Sequence, residues 1–595
     1  MLTYPSVSRL HKLFLTNSDK LSRKQVIFWF ILSITVSIVY AILALQQAFS
    51  SEYVVQDDAR QHVFWMMRYV DPNLFPNNLI ADYFQSVAPF GYSSLYKTFA
   101  FFGISPLFLN KLLPSILGLL TTIYCFGFSL QIIPLPFTAF LSTLIFNQNI
   151  WMKDDLSSGT ARAFTYLFLL AFLYYLSRKS LLPSLVVIVL LGIFYPQYVF
   201  ICVGILIVRL WDWSDGRLRF SGQNNYLFSI VGIVVAFLVM LPYALKSPEF
   251  GPVITVAQAK QLPEFWWGGR TAFFRENLID YFLSGRSGIF APYAFSPVTL
   301  IAAFFLPLMR LFPAKFPLLA KIQREIIILI QLLIVSVGMF VLAHLFLFKF
   351  YLPSRYTDHS FRVILAVSAA IVFSAVIEAI LSNFNTGTNS YFHTYLRKFL
   401  SSFLIGFIAI GLLFYYPVFV KNFPKSAYQQ GSVPALYEFF QQQPKDILIA
   451  SIAREADNLP AFSQRSILVG REYAVPYHFG YYSQFRQRVI DLIQAQYSEN
   501  IVDVKTFIQK YGVDYWLLES EAFTPEYIQN NFLLKQYYKS NLNQDILVKI
   551  TKDIFQRLQQ KNLPVLSQTI PNCTVAKVQN FTVLDAKCIL NTVNN

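Results

Sequence analysis

Residues 26–58 read VIFWFILSITVSIVYAILALQQAFSSEYVVQDD, and this stretch indicates the class of the protein. Residues 26–48 carry no charge, and a run of roughly twenty apolar residues is long enough to cross the hydrocarbon core of a membrane as a helix. The adjacent aspartates Asp57 and Asp58 follow on the far side of this run. The stretch therefore predicts a membrane-spanning helix followed by an acidic pair close to the membrane surface.

The composition of the whole chain agrees with this interpretation. Of its 595 residues, 55% are hydrophobic, 17% are aromatic and only 13% are charged, whereas soluble domains are about one-quarter charged. We therefore predict a polytopic α-helical protein of the inner or plasma membrane, surrounded by membrane lipids. The net charge of +16 is explained by basic cytoplasmic loops, which resist translocation. No basic domain with interleaved aromatic residues indicates nucleic-acid binding.

Eleven apolar segments are predicted to cross the membrane: 26–48, 107–130, 134–149, 161–177, 181–195, 197–210, 224–245, 296–312, 325–349, 361–381 and 399–419. The break at Tyr195-Pro196-Gln197 leaves an alternative, because a proline there either separates two spans or kinks one long helix. With two spans and a cytoplasmic N-terminus, every short loop on the cytoplasmic side is net basic, as the positive-inside rule requires. The basic residues concerned are Arg9, Lys12, Lys20, Arg23, Lys24, Arg178, Lys179, Arg209, Arg217, Arg219, Arg310, Lys315, Lys321, Arg324, Arg397 and Lys398.

This topology divides the chain into three predicted parts. Residues 1–25 form a cytoplasmic segment, 26–420 a transmembrane domain with large outer loops at 49–106 and 246–295, and 421–595 an extracytoplasmic domain. The last part mixes helical patterns with β-rich runs, which predicts an α/β or α+β domain. The helical patterns lie at 434–443 and 501–511, and the β-rich runs at 447–452 and 513–518.

The four cysteines fall into two groups. Cys125 and Cys202 lie inside predicted spans, where they act as small apolar side chains. Cys573 and Cys588 flank two β-rich runs that fit a hairpin, and an oxidising outer compartment would permit a disulfide between them. Two free thiols are the alternative.

Acidic residues collect in the predicted outer segments. Asp57 and Asp58 begin a short predicted helix, with His62 one turn beyond Asp58, and the apolar residues of 63–70 would lie along the membrane surface. Asp154 and Asp155 precede the fourth predicted span. Adjacent carboxylates repel each other unless a cation or metal neutralises them, which indicates a chemical role. Aspartate also serves as a helix N-cap, so a purely structural role is equally open.

The outer segment that ends in the span at 361–381 is rich in groups that bind anions. It contains Arg355, Tyr356, His359 and, just beyond, Arg362. Arginine forks bind phosphate oxygens through paired hydrogen bonds, which predicts a site for a lipid-linked phosphate. Snorkelling of these side chains toward lipid headgroups is the alternative.

This layout resembles the GT-C superfamily of membrane glycosyltransferases, which includes protein O-mannosyltransferases, lipid A aminoarabinose transferases and oligosaccharyltransferases. The acidic pair Asp57-Asp58 in the first outer loop carries the resemblance, supported by Asp154-Asp155 in the second. It implies a GT-C-like fold with a C-terminal extracytoplasmic domain. It also implies transfer of a hexosyl or pentosyl group from a polyprenyl-phosphate donor to a lipid, glycan or protein acceptor on the outer side.

The resemblance assigns roles to the outer charged residues. The catalytic carboxylate would be Asp57 or Asp58. The donor-phosphate site would be formed by Arg355, Arg362, His359 and Tyr356. A second acidic site, or a metal site, would be formed by Asp154, Asp155 and His62. A divalent metal ion is the one candidate cofactor, and some branches of the superfamily work without it.

The sequence departs from one branch and leaves two other classes of function open. The Trp-Trp-Asp signature of oligosaccharyltransferases is absent, because Trp266 and Trp267 are followed by glycine. These tryptophans and Arg270 fit either a sugar-stacking surface or interfacial aromatic residues. A lipid or glycan transporter or flippase, supported by the break at Tyr195-Pro196-Gln197, and a catalytically inactive membrane scaffold are the alternatives.

Overall fold

The computed structural model of the chain describes residues 22–592 except 215–216, 221, 247, 291, 383–399, 401–402, 409–410 and 413–417. Most of the predicted N-terminal segment 1–25 and parts of the predicted span 399–419 lie outside the described residues. So do five of the basic residues that support the topology, namely Arg9, Lys12, Lys20, Arg397 and Lys398.

The helices of the membrane part follow the apolar segments of the sequence. They are α1 (Arg23–Ala48), α2 (Ala59–His62), α3 (Leu79–Ser86), α4 (Phe90–Phe101), α5 (Pro106–Ile132), α6 (Pro136–Ile150), α7 (Asp154–Ser157), α8 (Thr165–Ser177), α9 (Leu181–Phe194), α10 (Val199–Val208), α11 (Gln223–Leu245), α12 (Val256–Lys260), α13 (Leu278–Leu283), α14 (Leu306–Met309), α15 (Ile327–Leu345) and α16 (Ser354–Ser382). Among the described residues, five helices are long and apolar enough to cross a membrane, namely α1, α5, α11, α15 and α16. The chain is an integral membrane protein.

Helix α6 lies at the centre of the membrane part, and every one of its residues is buried. On one side Trp29 of α1 packs against Phe137 and Phe140, with ring centroids 4.9 and 5.1 Å apart. Small hydroxyl side chains also link α6 to its neighbours, and the Thr143 hydroxyl donates to Ser33 Oγ in α1 at 2.9 Å. Such residues let membrane helices approach closely while satisfying their polar groups.

The break at Tyr195-Pro196-Gln197 separates two helices that fold back on each other. Helix α9 ends at Phe194, and α10 begins at Val199 after a short 3₁₀ turn. Lys179, which precedes α9, and Arg209, which follows α10, line the same small cavity. One continuous helix of this length would hold its ends roughly 40 Å apart. The alternative left open by the sequence is therefore resolved in favour of two antiparallel segments.

Helix α5 separates the acidic outer segments from a basic loop. Near its first turn, Asn110 Nδ2 donates to the Ser158 carbonyl at 2.7 Å, just beyond the pair Asp154-Asp155. At its other end, the Ile132 carbonyl accepts from the Gln323 amide at 2.8 Å. Gln323 belongs to the predicted cytoplasmic loop, and a helix of this length is roughly 40 Å long. The acidic pairs and this basic loop thus lie at opposite ends of the helical bundle.

The strands form three sheets. Strand β1 (Val54–Gln56) pairs with β4 (Tyr428–Gln430), and β2 (Trp211–Ser214) pairs with β3 (Arg217–Phe220). The third sheet belongs to the C-terminal domain and contains β5 (Leu448–Ala450), β6 (Ser466–Ile467), β7 (Tyr515–Glu519), β8 (Thr574–Val578) and β9 (Phe581–Asp585). Its strand order is β6-β5-β7-β9-β8. Strands β6, β5 and β7 are parallel, whereas β9 and β8 run antiparallel to their neighbours.

Helices cover this third sheet, so the prediction of a C-terminal domain that combines helices and strands is confirmed. They are α17 (Pro434–Gln441), α18 (Leu459–Phe462), α19 (Phe479–Gln496), α20 (Ile501–Tyr511), α21 (Pro525–Asn530), α22 (Lys535–Tyr538), α23 (Ile546–Gln559), α24 (Val565–Cys573) and α25 (Ala586–Asn591). A disulfide joins Cys573 to Cys588 across the β8-β9 hairpin, with Cα atoms 5.4 Å apart. Cys125 and Cys202 are free and buried.

The predicted membrane-surface helix at 63–70 is wrong. A single α-helical turn, α2, is followed by a 3₁₀ helix over Phe64–Tyr69. The side chains of Val63, Phe64 and Met67 are buried, and the Phe64 ring packs 5.5 Å from Tyr473 of the C-terminal domain. The apolar pattern of this segment reflects packing against protein, which sequence periodicity cannot distinguish from contact with lipid.

The orientation of the two ends can be tested by labelling. We expect Lys549→Cys, exposed on the C-terminal domain, to react with a membrane-impermeant maleimide in intact cells, or in spheroplasts where an outer membrane intervenes. Arg178→Cys, exposed at the opposite end, should react only after permeabilisation, because the bilayer separates it from the reagent. The buried Cys125 and Cys202 should give little background. If only Arg178→Cys were labelled in intact cells, the topology would be the reverse of the predicted one.

Candidate active site

The acidic pair at the end of β1 is not a helix cap. Asp58 occupies the N-cap position of α2, but its side chain makes no capping hydrogen bond. The neighbouring Gln56 does this instead, because its Oε1 accepts from the amides of Asp58 at 2.8 Å and Ala59 at 3.3 Å. Both carboxylates are therefore free for other contacts, and the structural alternative left by the sequence is not supported.

A single guanidinium joins the two acidic pairs. Arg162 Nη2 contacts Asp58 Oδ2 and, at 2.8 Å, Asp154 Oδ2. Arg162 Nη1 lies 3.3 Å from Asp155 Oδ1. Asp58 follows α1, whereas Asp154 and Asp155 precede α8, so the arginine connects two loops that are distant in sequence. This ion-pair network explains how an apolar chain keeps three carboxylates close together.

More cations surround Asp155 on the membrane side of the site. Lys153 Nζ lies 3.0 Å from Asp155 Oδ2 and also contacts Asp358 Oδ2 near the start of α16. Arg355 Nη1 lies 3.7 Å from Asp155 Oδ1. The basic segment at the start of α16 thus converges on the second acidic pair.

Asp57 faces the C-terminal domain. Its carboxylate pairs with Arg60, whose Nη2 also lies 3.7 Å from Glu472 Oε1. Glu472 Oε2 accepts from Arg270 Nη2 at 2.7 Å and from Gln61 Nε2 at 2.8 Å. Arg270, from the loop at 246–295, therefore joins the site, whereas the sequence predicted either a sugar-stacking surface or interfacial aromatic residues for its segment.

Solvent access separates the carboxylates of the site into two groups. The side chains of Asp57, Asp58 and Asp154 are 32%, 22% and 25% exposed, so a bound molecule can reach them. Asp155 and Asp358 are 0% and 2% exposed. The buried carboxylates hold the cations in place, and the accessible ones are candidates for chemistry.

The two adjacent aspartates have different environments. Burial, together with the nearby Glu472, raises the pKa of Asp57 above its ordinary value. Burial acts in the same direction on Asp58, but Arg162 and His62 outweigh it and hold the pKa of Asp58 below its ordinary value. Burial lowers the pKa of His62 to about 4, so its ring is neutral at pH 7. Asp57 is thus the stronger base of the pair.

The four residues predicted to bind the donor phosphate differ in burial and in their hydrogen bonds. Arg362 is buried, and its guanidinium donates to Asp358 Oδ1 at 2.9 Å, to Asn149 and to the Pro292 carbonyl. The Tyr356 hydroxyl is bound to the Phe350 carbonyl at 2.9 Å. Both side chains are therefore held by contacts within the protein, and their assignment to phosphate binding stays a prediction.

His359 and Arg355 differ from this pair. His359 is completely buried between Tyr166 and Tyr198, and neither ring nitrogen has a hydrogen-bond partner among the described residues. Arg355 keeps a side chain that is 15% exposed, with one long ion pair to Asp155 at 3.7 Å. Of the four candidates, Arg355 therefore has a guanidinium that can reach a ligand directly.

The acidic residues as they stand do not fit a metal ion. Asp58, Asp154 and Asp155 surround Arg162, whose guanidinium occupies the place between the two acidic pairs. His62 is not part of this ion-pair network, and its ring packs against Phe84 with centroids 5.3 Å apart. Within the described ranges, no group of three or more His, Cys, Asp or Glu side chains is arranged to hold a metal. Arg162 supplies the positive charge that the sequence analysis assigned to a cation or a metal.

Sequence reasoning did not predict which residues connect the site, namely Arg60, Lys153, Arg162, Arg270 and Glu472. Each is an ordinary charged residue, and no spacing indicates which partner of opposite charge it meets. Arg162 carried the one usable signal, since it follows the second acidic pair and precedes an apolar helix, where an unpaired cation is costly.

Comparison with solved structures identifies the fold. The apo oligosaccharyltransferase of Archaeoglobus fulgidus matches 88% of this chain and 73% of its own, with a TM-score of 0.53 and 12% identity. The same enzyme tethered to an acceptor peptide containing an NVT sequon matches 89% and 72%, with a TM-score of 0.52 and 13% identity. No family model and no curated protein matches the chain. The chain shares the GT-C fold of this enzyme, so the fold that the resemblance implied is confirmed.

At this level of identity the likeness concerns the fold and does not select a branch of the superfamily. The missing Trp-Trp-Asp signature still separates this sequence from oligosaccharyltransferases. ArnT from Cupriavidus metallidurans, bound to undecaprenyl phosphate, covers 94% of this chain and 98% of its own, but its TM-score of 0.33 adds no argument.

The contacts of Arg362 and Arg355 predict different contributions to stability. We expect Arg362→Ala to lower the free energy of unfolding by about 3–5 kcal/mol, because it leaves Asp358 buried with one fewer cation. A thermal unfolding midpoint measured in detergent would show this loss. Arg355→Ala removes only a partly exposed, long ion pair and should leave the midpoint nearly unchanged. Equal midpoints for Arg362→Ala and the wild type would contradict this prediction.

Proposed function

We propose that the chain is a glycosyltransferase that moves a sugar from a polyprenyl-phosphate donor to an acceptor hydroxyl on the outer side of the membrane. One observation carries this proposal: the accessible acidic pair and Arg355 lie in one site. Arg355 is close enough to Asp58 to lower the pKa of that carboxyl. A base and a phosphate-binding cation at one site are the two groups that this transfer needs.

The donor would lie on the membrane side of the site, where Arg355 presents its guanidinium near Lys153 and Arg162. A polyprenyl chain remains in the lipid, so its phosphate arrives at this depth, next to the start of α16. Arginine binds phosphate oxygens in a bidentate manner. The GT-C fold is the second support, because two structures that share it at a TM-score above 0.5 are of an oligosaccharyltransferase.

The chemistry is a substitution at the anomeric carbon. The acceptor oxygen attacks this carbon while Asp57 removes the hydroxyl proton, and the bond between the carbon and the phosphate oxygen breaks. The polyprenyl phosphate leaves with the electron pair, and Arg355 compensates the charge that develops on it. Asp58, held ionised by Arg162, keeps that arginine and the second acidic pair in position.

The break at Tyr195-Pro196-Gln197, which supported the transporter alternative, has another explanation. Tyr195 lies near Arg355 and Arg162, and its ring centroid is 6.3 Å from His359. The turn between α9 and α10 therefore delivers an aromatic side chain to the same site. Eleven spans, with the acidic pairs and the C-terminal domain on the outer side, complete the proposal, and the sugar and the acceptor are left open.

The catalytic role of Asp57 predicts a specific loss. We expect Asp57→Asn to reduce the transfer rate by roughly 10²–10⁴-fold, the usual contribution of a general base. An amide has nearly the same shape but cannot accept the proton. Transfer from a polyprenyl-phosphate sugar is measured in membranes, alongside protein abundance and the unfolding midpoint.

The matched control is Asp71→Asn, which changes a carboxylate of the same outer loop that pairs with Lys445 at the surface. It should leave the rate unchanged. Wild-type transfer by Asp57→Asn would exclude Asp57 as the base. A structural defect would instead lower abundance and the unfolding midpoint together with the rate.

The raised pKa of Asp57 also predicts the pH dependence of the reaction. The base works only when ionised, so kcat/KM should rise with pH through the pKa of Asp57. Burial and Glu472 raise this pKa. The acidic limb of the pH profile of kcat/KM should therefore have its midpoint at a pH above the ordinary aspartate pKa of about 3.9. Glu472→Gln removes one of these causes and should shift the limb toward lower pH. An acidic limb that does not move in Glu472→Gln would contradict this environment for Asp57.

A further inference from the structure

A crevice opens at the carboxyl ends of the parallel strands of the C-terminal domain. The chain leaves β5 toward β6 on one side of the sheet, whereas it leaves β7 toward β8 and β9 on the other side. The gap between β5 and β7 is therefore the topological switch point of the parallel part of this sheet. In open α/β sheets, ligands bind in the crevice at this position.

The loops after all three parallel strands line this crevice, which we call the switch-point crevice. Residues 451–454 follow β5, Gly470 and Arg471 follow β6, and Phe532 and Leu533 lie in the connection after β7. Three segments that are separate in sequence thus meet around one opening.

Three cations surround a single aromatic ring at the switch-point crevice. The guanidinium carbon of Arg471 lies 4.2 Å from the Phe532 ring centroid, that of Arg454 lies 5.1 Å away, and Lys535 Nζ lies 5.3 Å away. The ring face attracts cations but carries no net charge. It gathers the three positive groups without neutralising them.

Two carboxylates lie near these cations, and neither forms an ion pair with Arg454, Arg471 or Lys535 among the described residues. Glu472 is shared between Arg60 and Arg270. Asp457 lines the crevice and is buried; its Oδ1 accepts from the Glu472 amide at 3.2 Å, and its Oδ2 has no hydrogen-bond partner in the described part of the chain. Burial and Glu472 raise the pKa of Asp457 to about 7, so it carries less than a full negative charge at neutral pH. Arg471 donates from Nη2 only to the Gly268 carbonyl at 3.5 Å, and its buried Nε has no partner among the described residues.

The local electrostatics agree with an uncompensated positive charge. Burial and the neighbouring Arg471, Lys539 and Arg454 lower the pKa of Lys535. Burial and Arg270 likewise lower the pKa of Arg471, although Glu472 and Asp457 act against this. A bound anion would relieve both effects.

The crevice lies beside the catalytic pair on the side away from the membrane. Arg471 directly precedes Glu472, whose carboxylate contacts Arg60, the partner of Asp57. Arg355 lies on the other side of the acidic pair, next to Asp155. A molecule in the crevice would thus approach Asp57 from the C-terminal domain, opposite the proposed donor.

We propose that the switch-point crevice binds a phosphate group through Arg454, Arg471 and Lys535, and that this phosphate belongs to the acceptor. The second half of this statement rests on the proposed function, whereas phosphate binding does not. A phosphate matches the convergence of three cations better than a carboxylate, because it carries more charge and three oxygens for charge-assisted hydrogen bonds.

Phosphate binding is tested on the full-length protein in detergent by calorimetric titration with inorganic phosphate at constant ionic strength. All variants carry Arg355→Gln, so that the proposed donor site contributes little. We expect Arg454→Gln together with Arg471→Gln to lower phosphate affinity at least tenfold. Arg454→Lys with Arg471→Lys should retain most of it, which separates loss of charge from misfolding. The matched control is Arg557→Gln, a surface arginine of the same domain paired with Glu499 and Asp553.

Unchanged phosphate affinity in the double glutamine variant would overturn the proposal, as would a wild-type crevice that binds phosphate no better than chloride. The link to the acceptor is tested separately by transfer kinetics in the chain with an intact Arg355. The double glutamine variant should raise KM for a phosphorylated acceptor at least tenfold and leave KM for the donor unchanged. Phosphate binding without this change in KM would overturn the acceptor assignment alone. Absence of transfer in the wild type would overturn the proposed function and leave the crevice as a phosphate site.

Discussion

The site depends on the guanidinium of Arg162. It contacts Asp58 after the first span and both Asp154 and Asp155 before α8, so it fixes the distance between two outer loops. Without it, three carboxylates would share a partly buried space without adequate compensation, which costs several kcal/mol per unpaired ion. The position of a cation inside an acidic cluster therefore determines how the two loops meet and holds the pKa of Asp58 below its ordinary value.

A short segment that leads into the C-terminal domain, residues 425–427, also holds this arrangement together through hydrogen bonds. The Lys425 amide donates to the Trp151 carbonyl at 2.8 Å, and the Ala427 carbonyl accepts from the Asp57 amide at 3.1 Å. Between them, the Ser426 carbonyl accepts from Ser157 Oγ at 2.9 Å. These bonds, two of them between backbone groups and one from the Ser157 side chain, hold the loops of both acidic pairs against one segment.

The two sides of the acidic pair have different environments, and this difference distinguishes a donor side from an acceptor side. Asp58 faces the membrane helices and the cations Arg162 and Arg355, which keep it ionised. Asp57 faces the C-terminal domain and Glu472, which make it more basic. Adjacent residues of one turn point in different directions, so a single aspartate pair can serve a lipid-linked donor on one side and an acceptor on the other.

The sequence by itself determined the membrane class, the position of the apolar helices and the mixed C-terminal domain. These follow from composition and from local periodicity, which act over one helix or strand. The tertiary structure alone decided that α9 and α10 fold back as a pair, that residues 63–67 pack against protein, and that Arg362 is buried while Arg355 stays partly exposed. It also brought Arg162, Arg270 and Glu472 to the site. Such contacts join loops far apart in the chain, and a charged residue carries no local signal of the partner that will neutralise it.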